Sequence, residues 1–264
     1  MNGATRCAAC GRKNGPSAKF CRQCGVAILP VAASDATCAG EAPSELPPNS
    51  TSGPALDEQR IFRELCWLCG VPIALSVVLS IVARVQGASA LGDVIATGAM
   101  SVIAGVGSAM NARMVLSGLR WPKLSDWLAT LLVAVVVGPT LVAAFFILER
   151  LGFRLYTGYL TPFLVDRWPL WIGFAEIAIA TPIAEELLFR GLIQSKLEQI
   201  TAPREALIVQ AALFSAIHLS PLILVTHFVM GLAFGWIRRR SGSVFPGMVL
   251  HGAWNAWVVA SGAG

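Results

Sequence analysis

Charge is what this chain most lacks. Of its 264 residues only 13% are Asp, Glu, Lys or Arg, while 55% are hydrophobic. A soluble domain carries about 25% charged residues. The deficit is concentrated after Leu65, where apolar runs recur to the C-terminus, and mean hydropathy is +0.67. An ordinary soluble domain is excluded; the composition is that of a polytopic membrane protein with a small soluble appendage. The N-terminus lacks the apolar stretch of a signal peptide, so no cleavable leader is expected. Residues 26–57 lack the apolar density of a core and carry Pro30, Pro43, Pro47, Pro48 and Pro54; they read as a flexible linker. The net charge of +5 is read as membrane topology, and no nucleic-acid partner is expected.

What is present after the linker is a series of apolar segments of roughly the 20-residue length a bilayer requires. Spans are predicted near 65–85, 88–110, 127–148, 168–193, 204–219, 221–237 and 244–262, giving an all-α membrane helix bundle of about seven spans over residues 58–264. The second carries Asp93 and several glycines, which suits close helix packing. Arg113, Arg120, Lys123, Lys196, Arg204 and Arg238-Arg239-Arg240 fall on one side of this arrangement. The positive-inside rule then puts the N-terminus in the cytoplasm, of a prokaryotic plasma membrane in this reading.

Residues 1–25 form a separate unit. Cys7, Cys10, Cys21 and Cys24 make two CxxC pairs, each followed by a glycine. Four thiolates at this spacing suit a tetrahedral structural zinc site, and a unit this short has almost no core, so the metal would supply its folding free energy. The pattern resembles the short zinc ribbons at the ends of many prokaryotic proteins. Cys66 and Cys69 form a further CxxC inside the first span, where buried small apolar packing is expected.

Ionisable side chains at bilayer depth cost roughly 2.5–3.5 kcal/mol each on insertion scales, yet Glu185, Glu186 and Arg190 lie within six residues of one another. On a helix Glu186 and Arg190 are four apart and can pair. Glu185 lies about 100° around, lacks that partner, and can face a cavity as a general base. Thr181-Pro182 one turn earlier would free a backbone carbonyl beside the site. The three histidines are His218, His227 and His251. Phe214 and His218 share one helical face, as do His251 and Asn255. His227 matches no such pair and is read as a packing hydrogen-bonder.

Glu185-Glu186-x-x-x-Arg190, Phe214-x-x-x-His218 and His251-x-x-x-Asn255, in this order and on separate helices, resemble the CPBP intramembrane proteases. That family takes in CAAX prenyl endopeptidases and the bacteriocin-processing or self-immunity Abi proteins. The resemblance covers residues 168–264. It implies an endopeptidase in which Glu185 with His218 activates a water for attack on a peptide carbonyl near the cytoplasmic side, with His251 and Asn255 stabilising the oxyanion. Glu186, Arg190 and Phe214 complete the motif residues. The family is often classed as metalloproteases, and Glu185, His218 and His251 could supply a His2Glu metal set; a metal-free glutamate mechanism stays open. The expected partners are a peptide or protein substrate attached to the membrane and the bilayer itself. The alternative is a non-catalytic membrane immunity or scaffold protein of the same fold. Sequence leaves open the substrate, its prenylation, the ribbon's role, the oligomeric state, and the roles of Glu176 and His227.

Overall fold

The computed structural model describes residues 5–7, 13–15, 18, 21, 54–153 and 158–261. It is an all-α bundle preceded by a two-stranded ribbon. Strands β1 (Thr5–Arg6) and β2 (Lys13–Asn14) pair antiparallel, with Thr5 opposite Asn14. Cys7 and Cys21 are buried beside them, and the Asn14 amide lies 3.7 Å from the Cys21 Sγ. Cys10 and Cys24 lie outside the described residues, as does 26–53 of the linker.

Helix α1 (Pro54–Gln86) is one continuous rod, so it takes in the last residues read as linker and the lead-in before the first span. Helices α2 (Ala90–Met110) and α4 (Leu124–Arg150) follow, joined by the short α3 (Ala112–Gly118). Among the described residues three helices, Glu58–Gln86, α2 and α4, are long and apolar enough to cross a membrane, and they present many large apolar side chains outward. Lipid is the solvent that makes such a surface stable. Cys66, expected to be buried, is exposed on α1, and Cys69 is half-buried.

After the short α5 (Thr161–Val165), residues 170–200 form one helical run whose hydrogen-bond register changes four times. Segments α6 (Leu170–Ala175), α7 (Thr181–Glu186) and α8 (Gln194–Ile200) are α-helical, while Glu176–Ala180 and Leu187–Ile193 are π-helical. The run ends seven residues beyond the predicted span. Helices α9 (Pro203–Ala216), α10 (Pro221–Ser241) and α11 (Phe245–Ser261) complete the bundle. Helix α9 stops before His218, which sits in the turn to α10 beside Leu219, whose φ of 50° is left-handed.

Polar side chains tie this second half together where apolar packing alone gives no direction. Gln194 donates to the Gly235 carbonyl (3.1 Å) and Gln210 to that of Gly231 (2.8 Å). Gly231 lets α10 approach α9 closely: a Cβ there would lie 2.8 Å from the Ala211 Cα. Lys196, buried on α8, reaches Glu64 of α1 and the Asn111 side chain (2.8 Å). Arg120 donates to the Ser241 carbonyl, so the loop after α3 and the Arg238–Arg240 end of α10 share one end of the bundle. At the opposite end the Ala90 amide, which opens α2, donates to Asp166 (2.8 Å).

Candidate active site

Two adjacent carboxylates meet different surroundings because they point from different faces of α7. Glu186 is fully buried and its Oε1 lies 2.9 Å from the Arg190 Nη1, the expected four-residue pair. The contact is a close ion pair rather than an aligned hydrogen bond. The Arg190 guanidinium rests on the Phe214 ring at 4.3 Å and faces the Phe234 ring at 5.3 Å, a cation–π sandwich that stands in for water around a buried charge. The same Glu186 oxygen lies 3.2 Å from the His251 Nδ1. Gly247 makes room for this carboxylate: a Cβ there would sit 2.6 Å from the Glu186 Oε2.

Glu185 is 7% exposed, and its Oε2 has no hydrogen-bond partner. The nearest basic nitrogen to that oxygen is the His251 Nε2, at 3.7 Å. The structure therefore sets His251, from the third motif, beside Glu185, and stretches one imidazole between both glutamates. His218, which the resemblance couples to Glu185, lines the same cavity and packs on Phe214 and His227.

The Phe214 ring is the hub of the site. Its centroid lies 5.3 Å from Phe189, 5.2 Å from His218, 5.9 Å from His251 and 6.1 Å from His227. His218 and His227 pack against each other with centroids 4.0 Å apart. The His218 Nδ1 lies 2.8 Å from the Phe214 carbonyl and the His227 Nδ1 lies 2.9 Å from that of Ile223. A carbonyl only accepts, so each Nδ1 carries the proton and each neutral ring presents an Nε2 lone pair.

Pro182 supplies no backbone N–H. The π register sends the Thr181 amide to the Glu176 carbonyl five residues back, so the matching donor for Ile177 would be Pro182. The Asn255 Nδ2 donates to the Ile177 carbonyl instead, at 2.9 Å. This places Asn255 at the site and uses one of its two amide hydrogens.

Glu185, His218, His251 and Asn255 all line one cavity of about 350 Å³. Thr181, expected beside the site, lines it too, as does Glu176, whose role the sequence left open; sequence reasoning did not place its other polar walls, Asp93 and Thr97 of α2, Tyr159 and His227. Thr97 donates to Glu176 at 2.7 Å. One signal for His227 was available, since it lies as far beyond the Ser220-Pro221 turn as Phe214 lies before it. In an antiparallel hairpin those two positions face each other. For Glu176 and Asp93, 83 residues apart, no local pattern exists.

Residues 166–257 match the family model for the type II CAAX prenyl endopeptidase Rce1-like domain. This segment is similar to an Rce1-like domain. It contains all three motifs, and the match agrees with membership of the wider CPBP group. No curated protein and no solved structure matches the chain. The matched segment begins at Asp166, which accepts from the first amide of α2, and ends within α11, so α1, α2 and α4 lie outside it although Asp93 and Thr97 contribute to the cavity. Among the described residues no three His, Cys, Asp or Glu side chains stand close enough together to hold a metal ion. His251 faces a glutamate at each ring nitrogen, so the expected Glu185–His218–His251 metal set receives no support from this geometry.

Proposed function

We propose that this chain is an integral membrane endopeptidase that hydrolyses a peptide bond with a water activated by Glu185. The observation that carries the reading is the convergence of Glu185, His218, His251 and Asn255 on one cavity within a helical bundle, with the Glu185 Oε2 left without a hydrogen-bond donor. A buried carboxylate oxygen in that position is ready to accept a proton from water.

The residues divide the work by the hydrogens they hold. Glu186 is committed to Arg190 and accepts from the His251 Nδ1, which orients that imidazole. The His251 Nε2 and Glu185 Oε2, 3.7 Å apart, then face the attacking water together as one proton-accepting couple. Water loses its proton to this couple as its oxygen attacks the carbonyl carbon. The proton passes to the leaving amine as the C–N bond breaks. The His218 Nε2 lone pair accepts the water's other hydrogen, and the second Asn255 amide hydrogen serves the oxyanion.

Glu185→Gln keeps the shape and removes the base. Cleavage of membrane-anchored, internally quenched peptides by the protein in nanodiscs should fall about 10²–10⁴-fold, with an unchanged thermal melt. Unaltered cleavage by the folded variant would refute the mechanism.

The proposal includes a cytoplasmic N-terminus, from the basic residues clustered with Arg238–Arg240. Of the cavity walls, Asp93 and Val258 lie toward the other end of their helices, and His218 lies in the turn beyond the far end of α9, so in that orientation the substrate enters from the external half. A cytoplasmic N-terminus and cleavage near the cytoplasmic side do not fit together. Reporter fusions at both termini decide the orientation.

For the N-terminal unit we propose one structural zinc held by Cys7, Cys10, Cys21 and Cys24. Two buried cysteines beside a short β-ribbon fit that assignment. One zinc per chain, lost in Cys7→Ser, is the expected metal content.

A further inference from the structure

The cavity is rich in hydrogen-bond acceptors and poor in donors. Its lining includes the carboxylates of Asp93, Glu176 and Glu185 and, among the described residues, no lysine or arginine. The nearby buried cation, Arg190, is held by Glu186 behind the wall. His218 and His227 add acceptors too, because their Nδ1 hydrogens are used on backbone carbonyls. Glu185, more than nine-tenths buried, aims an Oε2 without a hydrogen-bond donor into this space, and the Glu176 Oε2 also lacks one.

A carboxylate in a dry site needs a donor or a cation. The metal reading finds no three-ligand group among the described residues. An organic cation brings its own donors, three on an ammonium and five on a guanidinium. Tyr159 and Trp254 supply aromatic surface for its aliphatic stem.

We infer that the lobe walled by Asp93, Thr97 and Glu176 is a substrate subsite for an ammonium or guanidinium group, carried by a peptide residue close to the scissile bond. This deepens the endopeptidase reading and rests on it. Glu176 precedes Glu185 by nine residues, a rise of roughly 13 Å along a helix. An extended peptide covers that span in about four residues, and in fewer when a long side chain reaches part of the way. The cationic residue therefore sits about two to four residues from the bond that is cut. The same acceptor-rich wall disfavours a free carboxylate at that place. A substrate with its C-terminal carboxylate in the lobe would meet Asp93 and Glu176 rather than a lysine or arginine.

The test uses the full chain in nanodiscs and a set of quenched, lipid-anchored peptides. One Lys is walked along an otherwise neutral sequence, with norleucine and Glu at the same positions, and with acetylated and free N-termini. The expected result is a kcat/KM at least tenfold higher for Lys than for norleucine at one or two positions within four residues of the cut, and lowest for Glu. A preference that follows the free N-terminus instead would assign the ammonium to the chain end. Asp93→Asn/Glu176→Gln should bring the Lys-to-norleucine ratio to about one. Glu176→Gln alone keeps the acceptor for Thr97 and serves if the double variant does not fold.

Binding is read separately in the Glu185→Gln protein, from tryptophan fluorescence on titration with the Lys and norleucine peptides. Equal affinities there, or a ratio untouched by Glu176→Gln, would overturn the subsite. If no peptide is cleaved while Lys still binds at least tenfold tighter, the peptidase reading falls and the cation site stands.

Discussion

The helices of residues 54–150 and those of 170–261 solve the membrane problem in opposite ways. In the first region large apolar side chains point outward: Leu132, Val135, Val136 and Phe146 of α4 are all more than half exposed. In the second, the polar groups point inward, and Glu186, Arg190, Gln194 and Gln210 are all at 0% exposure. The first region takes lipid as its solvent. The second builds a small polar interior of its own, in which each buried charge must find a protein partner. Damage should therefore be severe in the second region and slight in the first.

The strongest way to break the contrast is Arg190→Met. It leaves Glu186 buried with only the His251 ring for support, and losing one partner of a buried pair costs about 3–5 kcal/mol. The variant should melt far below the parent in detergent or fail to accumulate. Combining it with Glu186→Gln removes the orphaned charge, and the double variant should recover part of the melting temperature. A double variant no better than Arg190→Met would mean that the guanidinium acts through Phe214 and Phe234 rather than through the ion pair.

Gly247→Ala tests the same interior by volume. The added methyl falls 2.6 Å from the Glu186 Oε2, and overpacking of this kind costs about 1–3 kcal/mol. Because Glu186 orients His251, activity should fall more than stability, read as kcat beside the thermal melt. Lys196→Met probes the seam between the regions. The residue on α8 holds Glu64 of α1 and Asn111 after α2; its loss should cost about 1–3 kcal/mol, a smaller drop in melting temperature than Arg190→Met gives.

How much of this was readable beforehand follows the same division. The outward apolar helices were legible because length and hydropathy are local properties, although α1 runs from Pro54 as one helix where a linker to residue 57 and a span from about residue 65 were expected. The Glu186–Arg190 pair was legible because four-residue spacing on a helix is local too. The Pro182 effect was half legible: a missing N–H was certain, but that Asn255 would take the Ile177 carbonyl needed the packing of α11. The two π segments were not legible, since a shift from four-residue to five-residue hydrogen bonding leaves no hydrophobic pattern. Of the two, only Glu176–Ala180 precedes Glu185, so it alone shifts the face from which that residue meets His251. His227 was read as a packing residue and lines the cavity, because hairpin register across α9 and α10 outweighs membership in a motif. Asp93, Thr97 and Glu176 meet only through tertiary contact between α2 and the π segment.

The smallest expected effect is also the sharpest comparison of the two regions. Leu132→Ala on α4 and Leu192→Ala in the second π segment delete the same atoms, one from a side chain 65% exposed and one at 0%. At Leu192 the deletion leaves a cavity among rigid neighbours and should cost about 2–5 kcal/mol. At Leu132 the lost neighbours are lipid tails, which flow into the space and are as apolar as the leucine they replace. The change should stay within about 0.5 kcal/mol, as for surface sites elsewhere. Thermal melts of both variants in nanodiscs make the comparison. A large loss at Leu132 would show that α4 is covered by protein in the membrane, and a second copy of the chain would then be the first partner to seek, by crosslinking through a cysteine placed at 132.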